Sequence, residues 1–185
     1  MFERNYDKLA VAADQNVKER DFWLNKLAGD LSKSRFPVER MGRIAGEPVM
    51  KTVKRSFTGD LFSKLMQLSK GSDVKLHMIL TAGLAVLLKK YTGDPDVIIA
   101  APIYKQDVDI EFINTVLVLR NRVEEGTTFK ELLLQVRKTM MEAVENQNYP
   151  VEILVEQLGM SYKPGGDDCP LFDVVILHEN IHDRN

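Results

Sequence analysis

The sequence predicts an α/β fold in which helices pack on a mixed β-sheet to form a sandwich. Two runs rich in β-branched residues, 97–103 and 113–120, are typical of strands covered on both faces. Helical periodicity precedes and follows these runs, and the segment 76–91 is apolar around nearly its whole circumference. Because such a segment is buried on most sides, we expect it to form the centre of one hydrophobic core, with Leu84 inside it.

The first part of the chain predicts a helix, an irregular segment that crosses the protein surface, and a strand. Residues 15–28 have helical periodicity around Trp23, and Gly29 favours termination there. Residues 30–48 are polar and contain prolines and glycines, which indicates a surface crossing. Residues 49–57 alternate imperfectly and carry three basic side chains, a pattern typical of an edge strand.

The central part predicts two consecutive helices before the first buried strand. A short helix is expected to open at Asp60 and to end before Gly71. The apolar helix 76–91 follows, with two lysines in its last turn and Gly93 just beyond them. Lysines near a helix C-terminus and a following glycine both favour an end at this place.

The last part predicts two further helices and a final strand. Thr128 and Glu131 have the spacing of a capping box, and the apolar stripe behind them continues to about Gln147. Pro150 suits the first turn of another helix. Residues 172–178 are rich in β-branched residues and predict a strand close to the end of the chain, so its sheet is expected to be incomplete.

Composition excludes several broad classes of function. The 185 residues carry a formal net charge of −2 with acids and bases interspersed, so no basic stripe indicates nucleic acid. The longest apolar run, residues 78–88, is too short to cross a bilayer, and the first residues lack the apolar region of a secretion signal. The single cysteine, Cys169, excludes an internal disulfide and suits the cytoplasm. We therefore expect a cytoplasmic protein with neither nucleic-acid nor membrane partners.

The histidines give no clear catalytic or metal-binding pattern. His77 lies on the apolar helix without an acid or cysteine at ligand spacing, so it is expected to be a core histidine. His178-Glu179-x-x-His182 has the spacing of a zinc-binding pattern that requires a continuous helix. Because it follows a β-branched run and contains Asn180, we expect no metal site.

Asn114 and Thr115 form a polar pair at the start of the predicted strand 113–120. A polar side chain that is buried there must form a hydrogen bond. The partner is either a neighbouring backbone group or a substrate, and the sequence leaves both alternatives open.

Five short stretches in fixed order carry a family resemblance. They are Asp21-Phe22-Trp23 with Leu27-Ala28-Gly29, Leu87-Leu88-Lys89-Lys90-Tyr91-Thr92-Gly93 with Asp96, Phe112-Ile113-Asn114-Thr115 with Arg120, Asn146-Gln147-Asn148-Tyr149-Pro150-Val151-Glu152, and Pro170-Leu171-Phe172-Asp173-Val174. Together they resemble the condensation domains of nonribosomal peptide synthetases. The stretches are collinear and extend over residues 20–178, so the resemblance is more specific than any one of them.

The resemblance implies a chloramphenicol-acetyltransferase-like fold of two lobes with a tunnel between them. Carrier proteins insert phosphopantetheine arms from opposite faces, and the amine of the acceptor attacks the thioester of the donor to form an amide. Residues 1–29 would link the lobes, and residues 30–185 would form the C-terminal lobe, ending before its last strands. No cofactor would be bound directly, since the phosphopantetheine arm is substrate.

The same resemblance assigns the site residues. Asn114 and Thr115 would lie beside the substrate tunnel on the acceptor side. Five motif residues would have structural roles, namely Tyr149, Pro150, Pro170, Leu171 and Phe172. No catalytic residue and no metal ligand is expected in this chain.

The family's catalytic His-His-x-x-x-Asp-Gly motif lies in the first lobe, and no two histidines are adjacent in this sequence. The isolated chain is therefore expected to be inactive. Its expected partners are peptidyl carrier protein domains, the N-terminal lobe and a neighbouring adenylation domain. Strand edges that those parts would cover predict self-association of the isolated chain.

Departures from the family pattern leave alternatives within the fold. Ala100-Ala101-Pro102 stands where the family has Gly-Thr-Pro, Asn146 replaces a histidine, and the segment 103–111 is shorter than usual. The whole domain to which this chain would belong is then one of three kinds. It is a divergent amide-forming domain, or an epimerization, ester-forming or other acyltransferase relative, or a noncatalytic domain that recruits partner proteins.

Overall fold

The computed structural model describes residues 2–34, 36, 51–105, 114–161 and 169–182. Within these ranges the chain forms six helices and two strands, which confirms the predicted α/β class. In chain order they are α1 (Phe2–Gln15), α2 (Val17–Lys26), α3 (Gly59–Ser69), α4 (Asp73–Thr92), β1 (Asp96–Pro102), β2 (Val116–Arg122), α5 (Phe129–Glu145) and α6 (Val151–Gln157).

Strand β1 is the centre of a small mixed sheet, as its β-branched sequence predicted. It pairs antiparallel with β2, with Asp96 opposite Arg122 and Pro102 opposite Val116. On its other edge, Ala100 donates its N–H to the carbonyl of Val174 at 2.9 Å and accepts the N–H of Ile176 at 2.8 Å, forming a parallel bridge. Residues 97–101 are at most 1% exposed, because helices and strand neighbours cover them on all sides.

The predicted strand 172–178 was wrong in its extent. Only Phe172 and Val175 form bridges there, and no regular strand follows. The bridge of Phe172 is with Cys169, so it closes a local turn. A second turn begins at His178, whose carbonyl accepts the N–H of His182. Only the few residues between these turns can lie beside β1.

The predicted edge strand 49–57 was also wrong. Residues 51–58 are exposed and have no regular secondary structure, whereas 49 and 50 lie outside the described residues. An alternating sequence forms a strand only where a neighbouring strand accepts its hydrogen bonds. Most of the predicted crossing 30–48 and of the shortened segment 103–111 also lies outside the described residues.

Helix α1 was not predicted, since the first helix was expected to begin at residue 15. Leu9, Ala12 and Ala13 give it a narrow buried face with helical spacing. The helix ends at Gln15, and the side-chain amide of the next residue, Asn16, donates to the carbonyl of Ala12 at 2.8 Å. Helix α2 begins directly afterwards and ends before Gly29, which has the positive φ of 88° that favours glycine.

Helices α3 and α4 confirm the two predicted central helices with shifted starts. Helix α3 begins at Gly59, one residue before the predicted Asp60. The hydroxyl of Ser72 caps α4 by accepting the N–H of Lys75 at 3.4 Å. Within the described ranges no single helix is long and apolar enough to cross a membrane; α3 and α4 satisfy that criterion only as a pair, with a bend of 117° between them.

Helix α4 is buried along one face and not around its whole circumference. The fully covered residues are His77, Ile79, Thr81, Ala82, Ala85 and Leu88. Leu84 is only half-buried, and Leu87 is 42% exposed. The prediction that Leu84 lies inside the core is therefore corrected: β1 and α5 cover one face of the helix, and Leu84 lies at its margin.

Helix α5 begins at the predicted capping box. The hydroxyl of Thr128 accepts the N–H of Glu131 at 3.3 Å, and the Glu131 carboxylate accepts the N–H of Thr128 at 2.9 Å. The N–H and the hydroxyl of Thr128 both donate to the Glu131 carboxylate, and these two hydrogen bonds lower the pKa of Glu131. Leu132, Val136 and Met140 form the buried face of α5, which packs on β2 and α4.

Candidate functional site

Arg120 connects three of the family-like stretches. Its guanidinium donates to the carboxylate of Asp96, with contacts of 3.0 Å from Nε and 2.5 Å from Nη2. Nη1 donates to the backbone carbonyls of Ala28 at 2.8 Å and Lys26 at 3.2 Å. The side chains of Arg120 and Asp96 are only 18% and 14% exposed. The planar fork of an arginine suits such a divergent set of acceptors, so one side chain holds the end of α2, the start of β1 and the middle of β2 together.

Trp23 connects the first stretch to the fourth. Its ring is 3% exposed, and its indole N–H donates to the carbonyl of Asn146 at 2.8 Å, just after α5. One turn further along α2, Lys26 forms an ion pair of 2.8 Å with Glu142 of α5. This pairing lowers the pKa of Glu142. Helix α2 is thereby fixed on the C-terminal end of α5.

Asn114 connects the third stretch to the fourth and is 2% exposed. Its Nδ2 donates to the carbonyl of Gln147 at 3.0 Å, and its Oδ1 accepts the N–H of Val151 at 3.4 Å. Backbone groups are therefore the partners of this buried amide. It ties the residues before β2 to the turn that leads into α6.

Thr115 differs from its neighbour because its side chain is exposed. Its carbonyl accepts the N–H of Ile103 at 3.3 Å, which continues the pairing of β1 with the residues before β2. Strand β2 itself begins at Val116, so the polar pair precedes the strand and does not open it.

Tyr149 and Pro150 are buried in the turn between α5 and α6. Tyr149 is 1% exposed and donates its hydroxyl to Oε1 of Gln157 at 2.9 Å. Burial raises the pKa of this phenol. Pro150 is the N-cap of α6, one position before the first turn predicted for it.

The three motif residues of the last stretch lie at the edge of the core. Leu171 is 1% exposed, whereas Pro170 and Phe172 are half-buried. The adjacent Asp173 forms an ion pair of 2.6 Å with Lys33, which joins this stretch to the residues after α2. The described residues of all five stretches are therefore joined to one hydrophobic core, directly or through the hydrogen bonds of Asn114 and Arg120.

A cluster that was not predicted as a unit lies at the N-terminal end of α4. It consists of His77, Tyr104, His178 and His182, called here the histidine cluster. The ring centroids of His77 and His182 are 4.5 Å apart, and His77 lies 6.1 Å from Tyr104 and 6.4 Å from His178. The spacing of His178 and His182 was the sequence signal, since the two residues do lie at the ends of one hydrogen-bonded turn. Nothing in the sequence indicated that His77 would meet them.

Burial dominates the electrostatics of the histidine cluster. It lowers the pKa of His77 to about 3, and the neighbouring His182 and His178 add to this effect. It lowers the pKa of His182 to about 4 and raises the pKa of Tyr104 to about 12. All three side chains are therefore neutral near pH 7. Among the described residues, no three His, Cys, Asp or Glu side chains are arranged to hold a metal ion.

The α/β fold and the contacts between the five motif stretches agree with the family that the sequence resembles, and comparison with known families gives the same result. A family model described as Condensation domain matches residues 5–184. The chain belongs to the condensation domain family. Its α/β architecture is accordingly one lobe of the predicted chloramphenicol-acetyltransferase-like fold.

Peptide synthetases are among its similar proteins. It is 31% identical over 185 residues to tyrocidine synthase 2 of Brevibacillus parabrevis, a match that covers 95% of this chain and 5% of that protein. It is 31% identical over 174 residues to bacitracin synthase 1 of Bacillus licheniformis, covering 91% of this chain and 3% of that protein. The chain thus spans a small part of these relatives.

Solved structures show the same fold. A variant of the starter condensation domain of rhizomide synthetase RzmA, in complex with C8-CoA, superposes with a TM-score of 0.66 at 22% identity. That match covers 93% of this chain and 38% of the other. The X-domain from teicoplanin biosynthesis superposes with a TM-score of 0.62 at 21% identity, covering 85% of this chain and 36% of the other.

Proposed function

We propose that this chain is part of a condensation domain that forms an amide bond between two carrier-bound substrates. The donor is an aminoacyl or peptidyl thioester, and the acceptor is an aminoacyl amine. The observation that carries the proposal is the match of residues 5–184 to the condensation domain family, together with the hydrogen-bonded connection of its motif stretches. The phosphopantetheine arm of each carrier protein is a substrate of the reaction, and no other cofactor is required.

Asn114 and Thr115 are proposed to line the acceptor side of the tunnel. Their roles differ, because the amide of Asn114 is occupied by Gln147 and Val151 whereas the side chain of Thr115 is exposed. Asn114 would act as a positioning residue that fixes the backbone of Thr115. The hydroxyl of Thr115 is then the group that faces substrate.

The chemistry itself is proposed to depend on residues outside this chain. The family's His-His-x-x-x-Asp-Gly motif has no counterpart in the sequence, so the histidines that act on the acceptor amine belong to the other lobe. Residues 1–29 would link the two lobes, and residues 30–185 would form the C-terminal lobe. The hydroxyl of Tyr6 donates to Glu156 at 2.5 Å, which fits a linking segment docked on α6.

The proposed partners follow from this division. The chain would contact the N-terminal lobe across the tunnel, two peptidyl carrier proteins at its mouths, and a neighbouring adenylation domain. A cytoplasmic location stays a prediction that depends on the single cysteine.

A chimera tests the proposed function. The homologous stretch of tyrocidine synthase 2 is replaced by this chain, and dipeptidyl carrier protein is measured by mass spectrometry. We expect product from the chimera and none from the isolated chain, because only the chimera contains the histidine motif. A chimera that melts cooperatively and binds both loaded carriers without forming product would contradict the proposal and favour a partner-recruiting role.

A further inference from the structure

Residues 169–182, called here the strap, lie along the edge of β1 with few regular hydrogen bonds. Two of them join Ala100 to Val174 and Ile176, at 2.9 and 2.8 Å. A third joins the N–H of Lys105 to the carbonyl of Ile181 at 2.9 Å. A segment held by so few backbone bonds depends on its side chains for attachment.

The histidine cluster provides the attachment at the end of the strap, whereas the ion pair of Asp173 with Lys33 and the buried side chain of Leu171 attach its beginning. His182 of the strap is fully buried against His77 of α4, which is also fully buried. Both ring nitrogens of His77 and Nε2 of His182 are buried without a hydrogen-bond partner in the described part of the chain. Nδ1 of His182 accepts the N–H of His178 at 2.9 Å, which closes the turn at the end of the strap. His77 therefore contacts the strap through ring packing and not through a hydrogen bond.

The charged groups around the cluster do not compensate a proton on its buried rings. Asp73 of α4 lies 3.7 Å from Nε2 of His178 and accepts the side-chain N–H of Asn180 at 3.0 Å. On the residues after β1, Tyr104 presents a neutral phenol, and Nζ of Lys105 donates to the carbonyl of Glu179 at 2.9 Å. Within the described ranges, no ion pair joins a carboxylate to His77 or His182.

We propose that the histidine cluster is a proton-sensitive latch, which holds the strap on β1 while His77 and His182 are neutral and releases it when either of these two rings gains a proton. A charge on either buried ring would be desolvated and unpaired, so the protonated ring must reach water. In the open state the end of the strap leaves β1 together with the ring, and the edge of Ala100 becomes exposed. The latch is independent of the proposed amide-forming role.

The direction of the pH effect follows from the two states of the latch. The ordinary pKa of histidine is 6.5, and burial lowers it to about 3 for His77 and about 4 for His182. The closed latch is fully stabilised above pH 6.5, and this stability is lost as the pH falls toward these lowered values, because only the open state binds the protons. At about pH 5, His77 and His182 each favour the open state by about 30-fold.

Amide hydrogen exchange of the chain measures the opening directly. Protection factors, corrected for intrinsic exchange rates, are compared at about pH 7.5 and pH 5 for the N–H groups of Ala100, Lys105 and Ile176. We expect them to fall by at least about 30-fold at the lower pH. The N–H groups of α5, such as that of Met140, serve as internal controls and should keep their protection. An equal loss in α5 would mean global unfolding, and no loss at the strap would also overturn the latch.

Two substitutions separate the latch from other acid effects. His77→Phe keeps a ring of similar shape without a titratable nitrogen, and His182→Asn keeps an acceptor near Nδ1. The double variant should lose the pH dependence at Ala100 and Ile176, whereas the His178→Gln control should retain it. Equal acid opening in the double variant and the unmodified chain would overturn the proposal. Should the double variant fail to fold, the comparison of strap and α5 amides in the unmodified chain decides alone.

Discussion

Arg120 is the residue on which most of the connections between motif stretches depend. It lies on β2, and its four acceptor atoms belong to α2, β1 and the residues after α2. The sequence identified Arg120 and Asp96 as members of separate stretches but not as a pair. Residues 24 positions apart become neighbours only through the antiparallel register of β1 and β2.

Arg120→Ala should destabilise the chain by roughly 3 kcal/mol, because it leaves the Asp96 carboxylate partly buried without its partner. Urea denaturation measures the change in unfolding free energy. Arg122→Ala is a matched control on the same strand, since Arg122 pairs with Glu124 on the exposed surface and should have a much smaller effect on the unfolding free energy. Equal effects of the two substitutions would show that the Arg120 connections do not hold the elements together.

Substitutions at Asn114 and Thr115 should separate effects on stability from effects on product formation. Asn114→Ala leaves the carbonyl of Gln147 and the N–H of Val151 without their side-chain partner, which should lower the unfolding free energy by about 1–3 kcal/mol. Thr115→Val changes an exposed side chain and should leave the melting temperature unchanged. In the chimera with tyrocidine synthase 2, Thr115→Val should nonetheless reduce product formation. An undiminished amount of product with Thr115→Val would show that the Thr115 hydroxyl does not contact the substrate on the acceptor side.

At the scale of elements, the sequence predicted best where the chemistry is local. The capping box of Thr128 and Glu131 and the glycine after α4 each depend on residues within one helical turn. The start of α5 and the end of α4 were therefore predicted correctly. The strand predicted at 49–57 was wrong because strand formation depends on a partner elsewhere in the chain. Helix α1 was missed because the buried side chains described in it, those of Leu9, Ala12 and Ala13, give little apolar signal.

Adjacent leucines of α4 test the position of the core. Leu88 is fully buried, so Leu88→Ala should destabilise the chain by about 2–5 kcal/mol through lost burial and a cavity. Leu87 is 42% exposed, and Leu87→Ala should change stability by less than about 1 kcal/mol. Thermal and urea unfolding measure both. A larger effect at Leu87 would mean that α4 is rotated relative to the core.

At the scale of the whole molecule, the chain leaves apolar surface exposed. Helix α3 presents Leu61, Phe62 and Leu68 to solvent, each about half exposed, and Val175 of the strap is 53% exposed. Exposed apolar side chains that cluster on a surface are associated with contacts to other chains or domains. The sequence predicted this exposure only through the family resemblance, because an apolar pattern alone does not show which face is covered.

The isolated chain should therefore self-associate at about micromolar concentration or above. The sequence predicted contact through residues 172–178, and Val175 and Leu177 do expose apolar side chains there. Light scattering after size exclusion should give a mass above that of one chain, and Val175→Lys should reduce it. A single-chain mass at high concentration would show that the exposed surface does not drive association.

The central claim is that this chain supplies one lobe of an amide-forming domain whose catalytic histidines lie outside it. The most direct measurement compares dipeptidyl carrier protein formed by the chimera with that formed after alanine replaces the second histidine of the host's motif. We predict product from the intact chimera, a loss of about two orders of magnitude or more after the replacement, and none from the chain alone. Product from the chain alone, or undiminished product after the replacement, would contradict the claim.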